Sequence, residues 1–472
     1  MPTVMRRLRA PSLESLFVAA LVLFGFRLGA LPISDNSMFT HLRTGIDMAG
    51  GAGVPREDPY SYTAAGAEWV VQSWLAAWSY GALENLGGFR LVVLQHALLM
   101  ALLAFLVARL ARAGTPLRTG LSATLAVGLG APFWSPRPLM FGLICFALVV
   151  TVVEKRRTPW LLLPIVWVWA NTHGSFPIGL VWLGARAAGE WLDWRYWPKD
   201  TARYVWAFLG GLALSVANPL GAKLLLFPLT LGEKSAVFAR VVEWRSPDFH
   251  GGRVMISLLV LAVVLTLLFR ARLTWRDAVP AMVFLILSLY AVRNVPLLAV
   301  VLAPVLQRIM RRPESARPRP SATPTQLRTN RALAATLAAA FLLFGIGTWN
   351  NQPLRLDTYP VEAVDFLEAN GLLEAPNRLA HQDVVGNYLQ LRFGRSVEVF
   401  IDDRVDMYPV AVSDDYFDLL RGARTWDGVI DRYGVNVVLW SRDLPLAQLL
   451  TLDPRWRQAF SDEDWVVFRR AG

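Results

Sequence analysis

One cysteine and five histidines in 472 residues leave little material for redox or metal chemistry. The cysteine, Cys145, stands inside an apolar run, which excludes an internal disulfide, a cysteine-based metal site and a lipoprotein signal. The chain has no HExxH, no P-loop and no convincing GxGxxG. Charge is scarce as well, at 18% of residues against 54% apolar, where a soluble domain carries about 25% charged residues. The charge present is lopsided, at +11. That balance invites a nucleic-acid partner, but the arginines lie in short clusters between apolar runs, where membrane loops need them, so none is expected. No repeat of fixed period occurs, and no matched pair of interrupted helices suggests a transporter.

What the chain has in abundance is apolar runs. They predict an α-helical polytopic membrane protein with about 11 spans. The expected helices cover 12–33, 89–110, 118–134, 139–153, 159–171, 175–190, 203–218, 254–270, 275–292, 294–310 and 332–349. The basic start, MRRLR, makes the first of them a signal-anchor rather than a cleaved signal. The Trp-rich stretch 69–86 reads as a helix lying in the interface. Residues 311–331, rich in Arg, Pro, Ser and Thr, read as a cytoplasmic linker. The expected division is a membrane domain over 1–350 and a soluble α/β domain over 352–472. In the latter, helices are expected at Pro360–Asn370 and Trp426–Tyr433. Strands are expected at Val397–Ile401, Val435–Trp440 and Trp465–Arg469, with Val435–Trp440, apolar but for Asn436, central.

With the N-terminus inside, every alternate loop is basic, as the positive-inside rule requires. The unusual polar residues then collect on the opposite face: Asp35, His41, Asp58, Arg137, Asn171, His173, Glu243 and Arg293. The long outer loop 34–88 holds three of them and is too rich in charge, Gly and Pro to cross a bilayer. Asp35, just past the first helix, can take a proton from an acceptor hydroxyl, hold a metal, or simply cap the next short helix. His41 follows six residues on and can face the same pocket. Asp58-Pro59 favours a turn. Asn171 and His173 break an apolar stretch and suggest a cavity wall or a hinge. Arg137 and Arg293 are cations suited to a lipid phosphate or to plain headgroup contact. Glu243 is a second acidic candidate. Asp402, Asp403, Arg404 and Asp406 could bind a cation or a sugar, but read first as a solvated strand end.

These features resemble the GT-C superfamily of polytopic glycosyltransferases, and within it an uncharacterised bacterial subfamily. The residues that carry the resemblance are Asp35, His41, Gly45, Val54-Pro55, Asp58-Pro59-Tyr60-Ser61-Tyr62-Thr63, Trp69 and Trp74-Leu75. Arg137-Pro138, Asn171-x-His173-Gly174 and Ile401-Asp402-x-Arg404 fit the same pattern. One position departs: Ser37 stands where the pattern has a second acid, which weakens a two-carboxylate metal site. The resemblance implies glycosyl transfer from a polyprenyl-phosphate-linked sugar at the outer face of the cytoplasmic membrane. It makes the C-terminal domain extracytoplasmic and the acceptor a glycan, lipid or protein. It implies Asp35 as base or acceptor-orienting group, His41, Asp58 and His173 as shaping the pocket, and Arg137 or Arg293 as holding the lipid phosphate. Membrane lipids are expected partners, and no cofactor is required, with a divalent cation left open. Two alternatives stand beside this reading: a transporter or flippase of a lipid-linked saccharide, and a non-enzymatic envelope scaffold.

Overall fold

The structure, a computed structural model, describes residues 10–311 and 322–471. The basic start MRRLR and residues 312–321 of the expected linker lie outside the described residues. The rest of that linker is largely helical. Helix Pro324–Asn350 starts eight residues before the expected 332, because Thr323 and Gln326 form a reciprocal capping box with proline at the first helical position.

The chain opens with four helices, α1 (Leu13–Gly29), α2 (Asn36–Asp47), α3 (Trp74–Gly87) and α4 (Phe89–Leu110). It forms two compact units. One gathers Met1–Pro32, Arg90–Ser215 and Val242–Pro353. The other gathers Ile33–Phe89, Val216–Val241 and Leu354–Gly472. The grouping differs from the consecutive division 1–350 and 352–472, because the loop after α1 belongs with the C-terminal segment.

The first unit is helical. Among the described residues four helices are long and apolar enough to cross a membrane by length and composition: Phe89–Leu110, Gly252–Arg270, Val292–Met310 and Pro324–Asn350. Leu139–Glu154 is shorter but also apolar. Helix Val295–Met310 is buried along most of its length, as a helix apolar on all sides should be. Charges converge at one end of the unit. Arg308 reaches Glu154 at 2.6 Å and Asp277 at 2.5 Å, and Arg186 pairs with Glu154 and Glu190. Mutual pairing is what makes burying these ions tolerable.

In the second unit α2 is longer than the short helix expected after Asp35, and α3 begins at Trp74 rather than at Trp69. The two pack at backbone distance. A Cβ on Gly45 would lie 1.9 Å from the Ala77 carbonyl oxygen, and one on Gly81 would lie 2.0 Å from the Gly45 carbonyl. Only small residues permit such an approach. Gly45→Ala should therefore force the helices apart and cost about 1–3 kcal/mol or more. Thermal unfolding checks this against Gly50→Ala, where an added Cβ meets nothing within 4 Å; equal melting temperatures would refute the packing argument.

The C-terminal segment contributes a four-stranded sheet, with β1 (Leu379–His381), β2 (Val437–Ser441), β3 (Trp456–Ser461) and β4 (Trp465–Arg470) in the order β1-β2-β4-β3. β2 runs parallel to β1 and antiparallel to β4, so the strand expected at Val435–Trp440 does lie inside the sheet, starting after Asn436. Helices Val361–Ala369 and Trp426–Arg432 fall where the pattern puts them. Val397–Ile401 does not form the expected strand. It makes one isolated parallel bridge, Val399 to Ser61. Both backbone groups of Phe400 are satisfied by side chains instead: its amide donates to His381 Nε2 at 3.0 Å, and its carbonyl accepts from Thr63 Oγ1 at 2.5 Å.

Candidate active site

Within the second unit the turn after Asp58 meets the segment 400–408. The Asp58 side chain is fully buried. Its oxygens accept the Tyr60 amide at 3.1 Å and the Ser61 amide at 3.2 Å, closing the turn that Asp-Pro favours. Oδ1 also accepts from Arg404 Nη1 at 2.6 Å. The other edge of Arg404 grips Asp402, with Nη2 at 2.6 Å from Oδ2 and Nε at 2.9 Å from Oδ1. Tyr408 donates its hydroxyl to Asp402 at 2.9 Å, and Gln390 donates to the same oxygen. The Trp69 and Tyr60 rings lie 4.6 and 5.1 Å from the guanidinium carbon. Burial alone would raise the Asp402 pKa, but the charge and hydrogen bonds of Arg404 outweigh it and hold the carboxyl below its usual range. The solvated strand end expected here is thus corrected: Asp402 is 1% and Arg404 5% exposed. Charges enter an interior only with partners, and one partner of Arg404 lies 346 residues away in sequence.

Beside this core three acids, Asp35, Asp383 and Asp403, gather around Tyr359. Asp35 occupies the N-cap position of α2, yet its side chain makes no capping bond. Asp403 Oδ2 accepts from Ser37 Oγ at 2.7 Å and from Asn36 Nδ2 at 3.0 Å. Asp383 Oδ1 accepts the Tyr416 hydroxyl at 2.9 Å. All three carboxylates are half-buried. All act on the buried Tyr359, whose phenol is raised by burial first and then by Asp35, Asp403 and Asp383. The crowding tells most on Asp403. Burial first, then the charges of Asp383, Asp402 and Asp35, push it up to about 8 against the lowering bond from Ser37. Ser37, standing where the related pattern has an acid, is therefore bonded to an acid supplied from 366 residues away.

Between the ordinary carboxylate range and about pH 8, folded Asp403 holds a proton that the unfolded chain has released. Its contribution to stability therefore falls as pH rises through that window and is flat above it. Asp403→Asn removes this dependence. The melting temperature of the variant, relative to wild type, should climb from pH 5 to pH 9; a constant difference would show that Asp403 titrates normally.

The remaining predicted residues are distributed as follows. In the second unit, His41 Nδ1 is 3.3 Å from Ser73 Oγ, just before α3. The other five belong to the first unit. Arg137 forms an ion pair with Glu243 and donates from Nε to Ser135 Oγ at 3.0 Å. Arg293 stacks over Trp244 at 4.3 Å, with Glu243 and Arg137 close enough to act on it by charge. These three form one group. Asn171 donates to the Trp167 carbonyl within its own helix, and His173 Nδ1 lies 2.8 Å from Ser175 Oγ.

No family model and no curated protein matches the sequence. Solved structures do. The archaeal oligosaccharyltransferase AglB from Archaeoglobus fulgidus, in complex with an inhibitory peptide and a dolichol-phosphate, superposes with a TM-score of 0.51 at 11% identity over 90% of this chain and 69% of its own. The mycobacterial arabinofuranosyltransferase AftD gives 0.51 at 14% identity, over 99% of this chain and 40% of its own. The chain has the GT-C fold. ArnT from Cupriavidus metallidurans, bound to undecaprenyl phosphate, scores 0.47 at 14% identity over 96% of this chain and 97% of its own.

The GT-C fold here is a polytopic helical body with a C-terminal domain that carries a small sheet. A divalent cation in such a fold needs several converging ligands. Among the described residues no group of three or more His, Cys, Asp or Glu is placed to hold one. Asp35, Asp383 and Asp403 lie near one another, and Asp403 Oδ2 is engaged by Ser37 and Asn36. Of this group, Tyr359 and Asp383 are not singled out by sequence reasoning, and Asp403 only as part of a strand end read first as solvated. The only signal was the Ile401-Asp402-x-Arg404 segment, which points to the neighbourhood of Asp403 but not to its bond with Ser37.

Proposed function

We propose that the chain transfers a sugar from a polyprenyl-phosphate-linked donor to an extracytoplasmic acceptor, with Asp35 accepting the proton of the attacking hydroxyl. The reading is carried by one observation: in a chain of GT-C fold, the half-buried Asp35 carboxylate at the start of α2 lies with two further acids, Asp383 and Asp403, around Tyr359. A hydroxyl oxygen attacks the anomeric carbon as the bond to the lipid phosphate breaks. The hydroxyl proton passes to Asp35, and the bond electrons leave with the phosphate, whose low basicity needs little acid help. Protonated Asp403 leaves one fewer negative charge beside Asp35. Asp58 acts as a positioning residue, since its oxygens are committed to the turn and to Arg404. His41 and His173 shape their surroundings, with Asn171 holding the helix end before His173. Arg137 and Arg293 offer planar donor forks for the donor phosphate, with Glu243 aligning Arg137. The dolichol-phosphate held by AglB supports a lipid-phosphate donor. The proposal places the N-terminus in the cytoplasm and the second unit outside the cytoplasmic membrane.

The test is transfer in membrane preparations supplied with a panel of radiolabelled polyprenyl-phosphate sugars. Donor-dependent labelling of a lipid, glycan or protein fraction is expected. Transbilayer movement of the labelled lipid without product would replace this reading with transport.

A further inference from the structure

An apolar groove of about 780 Å³ runs along α1, α4 and helix Pro324–Asn350, all within the first unit. Leu16, Val22, Phe105, Leu337 and Phe341 line it, and Arg109 and Arg112 stand at one end. The two arginines differ in one decisive respect. Arg112 is neutralised, with Nε at 2.8 Å and Nη2 at 3.0 Å from the Glu14 carboxylate. Arg109 is exposed, its guanidinium carbon lies 6.0 Å from the Phe105 ring centre, and among the described residues no carboxylate pairs with it. Lys155 lies near enough to repel it, so the net charge at this end is positive.

The dimensions match half a bilayer. From Ser12 to Leu23 the wall formed by α1 is roughly 17 Å long at about 1.5 Å per residue, against about 15 Å for one leaflet of a hydrocarbon core about 30 Å thick. The wall is apolar, and the cation stands at one end of it. We infer that this groove binds one phospholipid with an anionic headgroup, its acyl chain along α1 and helix Pro324–Asn350 and its phosphate on Arg109. The lipid would then join a helix that the protein itself buries little, since only 6% of the apolar window of Pro324–Asn350 is covered. The inference is independent of glycosyl transfer.

The full chain, purified in detergent and supplied with equal phosphatidylglycerol and phosphatidylcholine, should retain phosphatidylglycerol preferentially when lipids are counted by native mass spectrometry. Arg109→Gln should reduce that preference about five-fold, roughly what one Lys or Arg near an anionic surface is worth. Arg109→Lys, which keeps the charge, should restore most of it. Ala338→Trp, at a lining position, should reduce retention of both lipids. Inorganic phosphate should not compete, because it has no chain for the groove. Equal retention of the two lipids by wild type, or a preference unchanged by Arg109→Gln, would overturn the inference. Loss of bound lipid on adding inorganic phosphate would overturn the acyl-chain part of it. If Ala338→Trp fails to fold, the Arg109 pair decides alone.

Discussion

Asp35→Asn is expected to lower sugar transfer by roughly 10²- to 10⁴-fold, the range that a positioned acid or base contributes. The substitution is nearly isosteric and removes only the charge and the ability to accept a proton. Folding should survive it. Asparagine is as good an N-cap as aspartate, so the start of α2 keeps its capping residue. The measurement is the initial rate with the donor that labels best, read beside the melting temperature of the same preparation. A folded variant with full activity would remove Asp35 from the chemistry. A rate lost together with the melting transition would instead make Asp35 structural. Asp403→Asn provides the contrast: it keeps the acceptor oxygen that Ser37 and Asn36 need, and so separates the polarity around Tyr359 from the base itself.

The largest stability effect should come from Arg404→Ala. The guanidinium is 5% exposed at its side chain and serves two fully buried carboxylates at 2.6 Å each. Removing it leaves Asp58 and Asp402 both buried without their cation, a change that costs roughly 3–5 kcal/mol. Against a total of about 5–15 kcal/mol for a typical domain, the second unit should unfold or melt far earlier. Arg404→Lys should recover only part of the loss. A single ammonium cannot present Nη1 to Asp58 while Nε and Nη2 face Asp402. Thermal unfolding of the purified variants, with their yield in membranes, checks both. A melting temperature within a few degrees of wild type for Arg404→Ala would mean that water reaches these acids.

Much of the fold could be read from local pattern. The apolar run at 437–440 marks an inner strand because only a strand covered on both faces can do without polar alternation. Gly45 stood out in the motif, and its role is visible once α2 and α3 are seen to touch at the backbone. The loop after α1 was recognisable as something other than a span. What local pattern could not supply is pairing at long range. Ile401-Asp402-Asp403-Arg404 looks solvated on composition, and only Asp58 and Ser37, about 350 residues earlier, make its burial affordable. For the same reason Ser37 read as a lost acid, although its hydroxyl is bonded to one. The early start of helix Pro324–Asn350 was legible in principle, since Thr323-Pro324-x-Gln326 is a capping box that the Arg- and Pro-rich composition around it disguised.

The bond from Ser37 to Asp403 spans 366 residues. At about 5–20 residues per second, a ribosome needs roughly 20 s to over a minute to make the intervening chain. Throughout that interval α2 and the Asp58 turn have been made, but their buried counter-ions have not. The second unit is therefore a late product of synthesis despite its early start. A nascent chain halted between residues 58 and 404 carries Asp58 without the cation that accompanies its burial in the finished unit.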